Sequence, residues 1–239
     1  MSSLIVVFSS IDIAFLPRFK NVGRRNYGMK FRDRADAAEL LANRLAKLGY
    51  GSAVVLGIPR GGVLLADIVA KRLGTDFDIA IPRKLGAPDN EELAIGAVME
   101  DGTSYINRYV VDALRITQDY VEKEKGRQAA EIKRRTSAYR RPSGYQIAGK
   151  SVILVDDGIA TGATVIASAR WVRKQHPSRL IIAVPVAPSQ SVEILEQEAD
   201  SVVVLETPSD FESVGQFYEE FTPVLDDQVA QIMRARRLL

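Results

Sequence analysis

The 239-residue chain contains no cysteine. Disulfides, thiolate nucleophiles and cysteine-ligated zinc are therefore excluded together. Histidine is nearly absent too: the single copy, His176, is followed by Pro177. That rules out a histidine-rich metal centre, and a Ser–His–Asp triad would have to use His176. Its position at the end of an apolar-periodic segment reads instead as a basic group near the negative end of a helix dipole. A dominant sign of charge is also missing, since 32 Lys/Arg face 30 Asp/Glu, for a net charge of +2 and a pI near 8.8. So mild a balance does not point to nucleic acid. No apolar run is long enough to span a membrane. The apolar start, Ser3–Leu16, lacks a basic n-region and carries Asp12, so it does not read as a signal peptide. These absences lead to the expectation of a cytoplasmic protein. Residues 1–28 are expected to lie outside the core as an extra strand or tail, with Met29 as an alternative start, and residues 29–239 to form one domain.

What is present has ordinary globular composition, 46% hydrophobic and 26% charged. Its pattern alternates between strand and helix. Helical spacing of Ala37, Leu40, Leu41, Leu45 and Leu48 predicts a helix over Asp33–Leu48, stopped by Gly49. Short apolar runs at Ala53–Ile58, Phe77–Ile81, Val152–Val155, Leu180–Val186 and Val202–Leu205 read as five buried strands. Helices are expected over Val63–Leu73, Ala163–Gln175, Val192–Ala199 and Asp226–Arg237. Polar Arg83–Glu92, with Gly86 and Pro88, reads as a loop. Leu93–Met99 and Thr103–Ile106 read as a hairpin turning at Asp101-Gly102. Thr117–Arg141 is helical, with eight Lys/Arg against four Asp/Glu. No aromatic interleaving accompanies that charge, so it reads as a solvated helix packing one edge. Pro142–Lys150 is a linker. The fold class that follows is α/β, a mostly parallel sheet of about five strands with helices on both faces. Ligands of such sheets sit beyond the carboxyl ends of the strands.

The chemistry concentrates in Val152-Ile-Leu-Val-Asp156-Asp157-Gly158-Ile159-Ala160-Thr161-Gly162-Ala163-Thr164. An apolar strand ends in two carboxylates, and a Gly/Thr turn then opens a helix. Free N–H groups and the positive end of a helix dipole make such a turn an anion cradle. Gly162 permits close approach of the anion, and Thr161 and Thr164 add hydroxyl donors. The Gly-x-x-x-x-Gly-Lys spacing of the nucleotide P-loop is absent. Asp156 and Asp157 can accept hydrogen bonds from a vicinal diol or hold hydrated magnesium. A 5-phosphoribose has a phosphate and a diol in this layout. Two acids after a strand also suit a magnesium site of a phosphatase-like or receiver-like fold, but that reading leaves Ala160–Thr164 unexplained.

This segment resembles the motif for 5-phosphoribosyl-1-pyrophosphate (PRPP) in the type I phosphoribosyltransferases. Gly158 departs from the family, which usually has an aliphatic residue there. Gly57-Ile58-Pro59-Arg60-Gly61-Gly62 is similar to the family's pyrophosphate loop, where a strained or cis peptide is common. Pro82-Arg83-Lys84-Leu85-Gly86 resembles the start of its flexible catalytic loop. Glu92–Val98 and Val214–Tyr218 are similar to a poorly characterised branch of predicted phosphoribosyltransferases.

The resemblance implies a transferase moving 5-phosphoribose from PRPP to a nitrogen acceptor, a nucleobase in nucleotide salvage, with release of pyrophosphate and with Mg2+ as cofactor. It implies Arg60, Arg83, Lys84 and Asp157 as catalytic groups. Asp156 through Thr164 (Gly158, Ile159, Ala160 and Ala163 included), with Arg60 and Gly61, would bind PRPP, and Asp156 and Asp157 would hold the metal partly through ribose hydroxyls and water. A small hood over the acceptor is expected from 207–221 and part of 107–145. Phe211, Phe217, Tyr218 and Phe221 in it read as packing at least as well as base-stacking groups. Ala160 stands where hypoxanthine–guanine enzymes carry a further aspartate, a pattern closer to adenine enzymes. The expected partners are PRPP and a small nitrogen acceptor, without membrane or nucleic acid. A homodimer is common in the family, although no residue pattern here carries it. A PRPP-binding regulator or accessory protein without turnover remains the alternative.

Overall fold

The structure, a computed structural model, describes residues 30–50, 53–139 and 146–237. The expectations for residues 1–28, Met29 and the 142–145 part of the linker lie outside them. From the amino end run α1 (Arg34–Lys47), β1 (Val54–Gly57), α2 (Gly61–Leu73), β2 (Asp76–Ile79), β3 (Arg83–Ala87), β4 (Asn90–Val98), β5 (Ser104–Ile106), α3 (Arg108–Ala113) and α4 (Gln118–Tyr139). They are followed by β6 (Ser151–Val155), α5 (Ala163–Arg173), β7 (Arg179–Val186), α6 (Ser189–Leu195), β8 (Ser201–Glu206), a 3-10 turn (Val214–Phe217) and α7 (Asp226–Arg237).

The five strands expected from the apolar runs form one parallel sheet, in the order β2-β1-β6-β7-β8. Alternation along each strand sends side chains to both faces. Val54, Leu56, Val152, Leu154, Leu180 and Ile182 pack with α5 through Ile166, Trp171 and Val172. Val55, Ile153, Val155, Ile181 and Ala183 pack with α1 and α2 through Leu41, Leu45, Leu65 and Val69. With both faces covered, the strands are near-continuous apolar runs. The chain leaves β1 toward β2 on one side, and β6 enters on the other. The order therefore reverses between β1 and β6, and the crevice beyond their carboxyl ends is where such sheets bind ligands.

Arg83–Glu92 is not a loop. β3 pairs antiparallel with β4, and β4 with β5, in a separate three-stranded sheet. Register shifts at Leu85/Gly86 and Gly86/Ala87 interrupt the period-2 pattern that would have marked β3 in the sequence. The turn at Asp101-Gly102 is as expected: Gly102 has φ +82° and Asp101 accepts hydrogen bonds from the Thr103 amide and hydroxyl. α4 packs on this small sheet, with Val121 and Ile132 buried against Leu85, Ile95 and Val98. Its Tyr120 hydroxyl donates to the Gly86 carbonyl at 3.0 Å. The basic helix thus acts as a strut for the hairpin, and its charges are largely paired along its own surface, as in Arg127–Glu124 and Arg134–Glu131. His176 lies just past α5, at the opposite end of that helix from the 158–164 turn. Among the described residues, no helix is long and apolar enough to cross a membrane.

Candidate active site

The two motifs, almost a hundred residues apart in sequence, meet at the reversal between β1 and β6. In-register pairing brings Gly57 beside Val155, and the Ile58 amide donates to the Val155 carbonyl at 2.9 Å. The Gly57–Gly62 loop then crosses directly over the Asp156-Asp157 pair. A Cβ on Gly62 would lie 2.7 Å from the Val155 carbonyl oxygen and 2.8 Å from Asp156 Cα. The glycines here leave room for the carboxylates. The Pro59–Arg60 peptide is cis, and Arg60 faces Asp226 Oδ1 at 3.8 Å.

Beyond the acids the turn is held from three sides. The Ile159 amide donates to the Val186 carbonyl, and Ser191 of α6 donates to the Ala160 carbonyl at 2.7 Å. Val214 packs on Gly158: a Cβ there would come 2.5 Å from Val214 Cγ1 and 3.0 Å from Val186 Cγ1. The departure at Gly158 is therefore steric, because the 3-10 turn occupies the volume an aliphatic side chain would need. Gly162 caps α5 with φ +75°, a left-handed conformation that favours glycine. The helix amino end consequently opens onto a cavity of about 160 Å³ lined by Lys84, Ala94, Val214 and the 158–165 turn.

Asp156 and Asp157 stand side by side, with the Asp157 amide donating to Asp156 Oδ1 at 2.9 Å. Burial pushes the Asp156 carboxyl well above the usual carboxylate range, and the Asp157 charge adds to this. Burial also raises Asp157, against the opposing pull of Arg34, whose Nε donates to Asp157 Oδ2 at 2.7 Å. Tyr218 donates its hydroxyl to the Asp157 carbonyl at 2.6 Å. Burial, then the Asp157 charge, drives that phenol upward, so it stays a proton donor.

Of the residues singled out from the sequence, Gly61, Asp156, Asp157 and the 158–164 turn come together, with Lys84 at the cavity wall. Arg60 stands beside them on the loop. Arg83 does not join them. Because it lies on a strand, it points to the face opposite Lys84, and its Nε donates to Gln128 of α4 at 2.9 Å. Burial, then Arg135, lowers its proton affinity, as befits a guanidinium packed among the cations of α4. The aromatics of 207–221 pack chiefly on each other and on the core, Phe211 against Phe217 and Tyr218 against Phe31 and Phe221. Sequence reasoning missed Arg34 and Ser191, and it named Val214 and Tyr218 without their contacts to the acid turn. One signal was available for Arg34: a cation in the first turn of a helix opposes the dipole, so its presence calls for a tertiary reason.

An acid pair and an open helix amino end thus meet at the reversal of a five-stranded parallel sheet. The chain belongs to the phosphoribosyl transferase domain family, which matches residues 32–222. It is 41% identical over 209 residues to Rv0571c of Mycobacterium tuberculosis, a protein named provisionally as a phosphoribosyl transferase. The match covers 87% of this chain and 47% of that protein, so the chain spans about half the length of the curated relatives it matches. It is also similar to the crystal structure of TT1426 from Thermus thermophilus, at 43% identity and a TM-score of 0.70, covering 86% of this chain and 98% of that one.

Proposed function

We propose that the chain transfers 5-phosphoribose from PRPP to a nitrogen acceptor of the nucleobase class, releasing pyrophosphate. The observation that supports this most is the meeting of the Gly57–Gly62 loop with the Asp156–Thr164 turn at the β1/β6 reversal. One crevice then offers a cradle for a monophosphate, acceptors for a diol and a glycine loop for a leaving pyrophosphate.

In this reading the amides of the turn, with Thr161, Gly162 and Thr164, hold the 5-phosphate at the amino end of α5. Asp156 and Asp157 accept the ribose hydroxyls. As the bond from C1 to pyrophosphate breaks, the ribose becomes oxocarbenium-like and negative charge grows on the leaving group. The chain's part is to align the acceptor nitrogen and stabilise that charge. Lys84, whose ammonium is paired with Glu92 at 3.3 Å, would do this from the cavity wall, and Arg60 from the loop. Arg83 contributes through the hairpin it anchors to α4.

The donor set suits magnesium that arrives with PRPP. Among the described residues no cluster of three or more His, Cys, Asp or Glu is present, and one of the two acids is already paired with Arg34. Magnesium characteristically uses one or two carboxylates together with substrate phosphates and waters. When bound, it would supply Lewis-acid stabilisation of pyrophosphate. Asp156 and the free edge of Asp157 would hold it, directly or through water.

The test is pyrophosphate release from PRPP and magnesium against a panel of purine and pyrimidine bases, with Asp157→Asn as control. Release that depends on one base and is lost in the variant supports the transferase. PRPP binding without release for any base would assign a PRPP sensor instead.

A further inference from the structure

Arg34 is the first residue of α1, directly after the Asp33 cap. A cation there works against the helix, and its surroundings supply the reason it is kept. Its Nε donates to Asp157 Oδ2 at 2.7 Å, and its Nη1 donates to the Thr222 carbonyl at 2.8 Å. The guanidinium carbon sits 3.8 Å from the centroid of the Phe221 ring. The side chain is only 10% exposed, so it is walled in rather than free to sweep the crevice. Gly61 of the loop closes over the pair: a Cβ there would come 2.5 Å from Asp157 Cγ and 3.0 Å from Arg34 Nε. One guanidinium therefore joins α1, the 57–62 loop, the acid turn and the segment after the 3-10 turn.

A carboxylate has two edges. With Oδ2 committed to Arg34 and the backbone carbonyl of the same residue held by Tyr218, Asp157 is left with Oδ1 for a ligand, in a fixed orientation. The cation also leaves the turn with one net negative charge when both acids are ionised, which eases the approach of a pyrophosphate anion. Of the two acids, Arg34 is hydrogen-bonded to Asp157 alone, and it acts on Asp156 only through its charge.

We propose that Arg34 is a positioning residue for the PRPP site. It locks the Asp157 carboxylate in the orientation that accepts a ribose hydroxyl and holds it beneath the pyrophosphate loop. This rests on the PRPP reading above. Arg34 works through Asp157 and does not touch the substrate.

The experiment is a double-mutant cycle on the affinity of the full chain for Mg·PRPP, read by calorimetry. The proteins are wild type, Arg34→Gln, Asp157→Asn and the double variant, with thermal unfolding of each to show that it is folded. Arg34→Gln should weaken binding about tenfold or more, the scale of one charged hydrogen bond. The double variant should be no weaker than Asp157→Asn alone, within about twofold, because coupled residues do not add. Arg34→Lys, which keeps the charge and loses the fork, should recover part of the affinity. Should Arg34→Gln not fold, Arg34→Met, which also removes the charge, takes its place in the cycle under the same criteria. The proposal is overturned if the Arg34 variant binds within about twofold of wild type, or if the two losses multiply. A folded wild type that does not bind PRPP overturns the functional reading itself, and this proposal with it.

Discussion

Placing one methyl group on Gly61 tests the packing logic of the site. The backbone at Gly61 is not left-handed, so Gly61→Ala adds no conformational strain and the effect is steric. Its Cβ would overlap Asp157 Oδ2 and come 2.5 Å from Asp157 Cγ, so the carboxylate must move away from Arg34. Overpacking of this kind costs about 1–3 kcal/mol. Removing one partner of a fully buried ion pair costs about 3–5 kcal/mol, but here both partners stay. Arg34 and Asp157 also keep 10% and 15% of their side-chain exposure, so water can take up part of the loss. A figure of about 2 kcal/mol follows, which for a chain of this size lowers Tm by about 4–8 °C. Differential scanning calorimetry reads this, and calorimetric titration with Mg·PRPP should show weakened binding in the same variant. Gly126→Ala is the control. Gly126 lies inside α4 with nothing within 4 Å of an added Cβ, so the change should stabilise by about 0.5–1 kcal/mol. Melting and PRPP affinity unchanged from wild type in Gly61→Ala would refute the reasoning that the loop glycine exists to clear Asp157.

Three further outcomes are expected. Gly158→Ala should destabilise by about 1–3 kcal/mol, since its Cβ would meet Val214 Cγ1 at 2.5 Å. Adding Val214→Ala should restore much of that loss in chemical denaturation, and strictly additive losses would count against the contact. Asp156→Asn should melt above wild type at neutral pH while losing PRPP affinity, because a carboxylate without a cation partner leaves its half-buried position; a lower Tm would contradict this. Glu131 is held down to about 2 by hydrogen bonds from Arg134 and Arg135, with burial opposing. Its folded value lies below the ordinary 4.5, so the stability it lends is present above that value and fades as pH falls toward about 2. Urea midpoints measured down that range should therefore fall less steeply for Glu131→Gln than for wild type.

The main sheet was legible because its inner strands are buried on both faces and spell continuous apolar runs, as Val152–Val155 and Leu180–Val186 do. The acid turn was legible because strand, carboxylates, Gly162 and helix follow one another locally. β3 was not: its register shifts around Gly86 erase the alternation, and Gly86 and Pro88 mimic a loop. That error carried over to Arg83 and Lys84, which as neighbours on a strand cannot both face the crevice. Arg34 lies 123 residues from Asp157 and meets it only after α1 docks on the sheet. Gly158 read as an oddity because its explanation, Val214, arrives 56 positions later on a different element. What the sequence hid was in each case a contact between segments far apart in the chain.

The most direct test of the central claim is where PRPP lands. Backbone amide shifts of the isotope-labelled full chain, followed while Mg·PRPP is added, should move chiefly at Gly57–Gly62 and Asp156–Thr164, and ribose 5-phosphate, which has the phosphate and the diol but no pyrophosphate, should reproduce the changes at Asp156–Thr164 and not those at Gly57–Gly62. No shifts at any PRPP concentration, or shifts confined to α3 and α4, would contradict it.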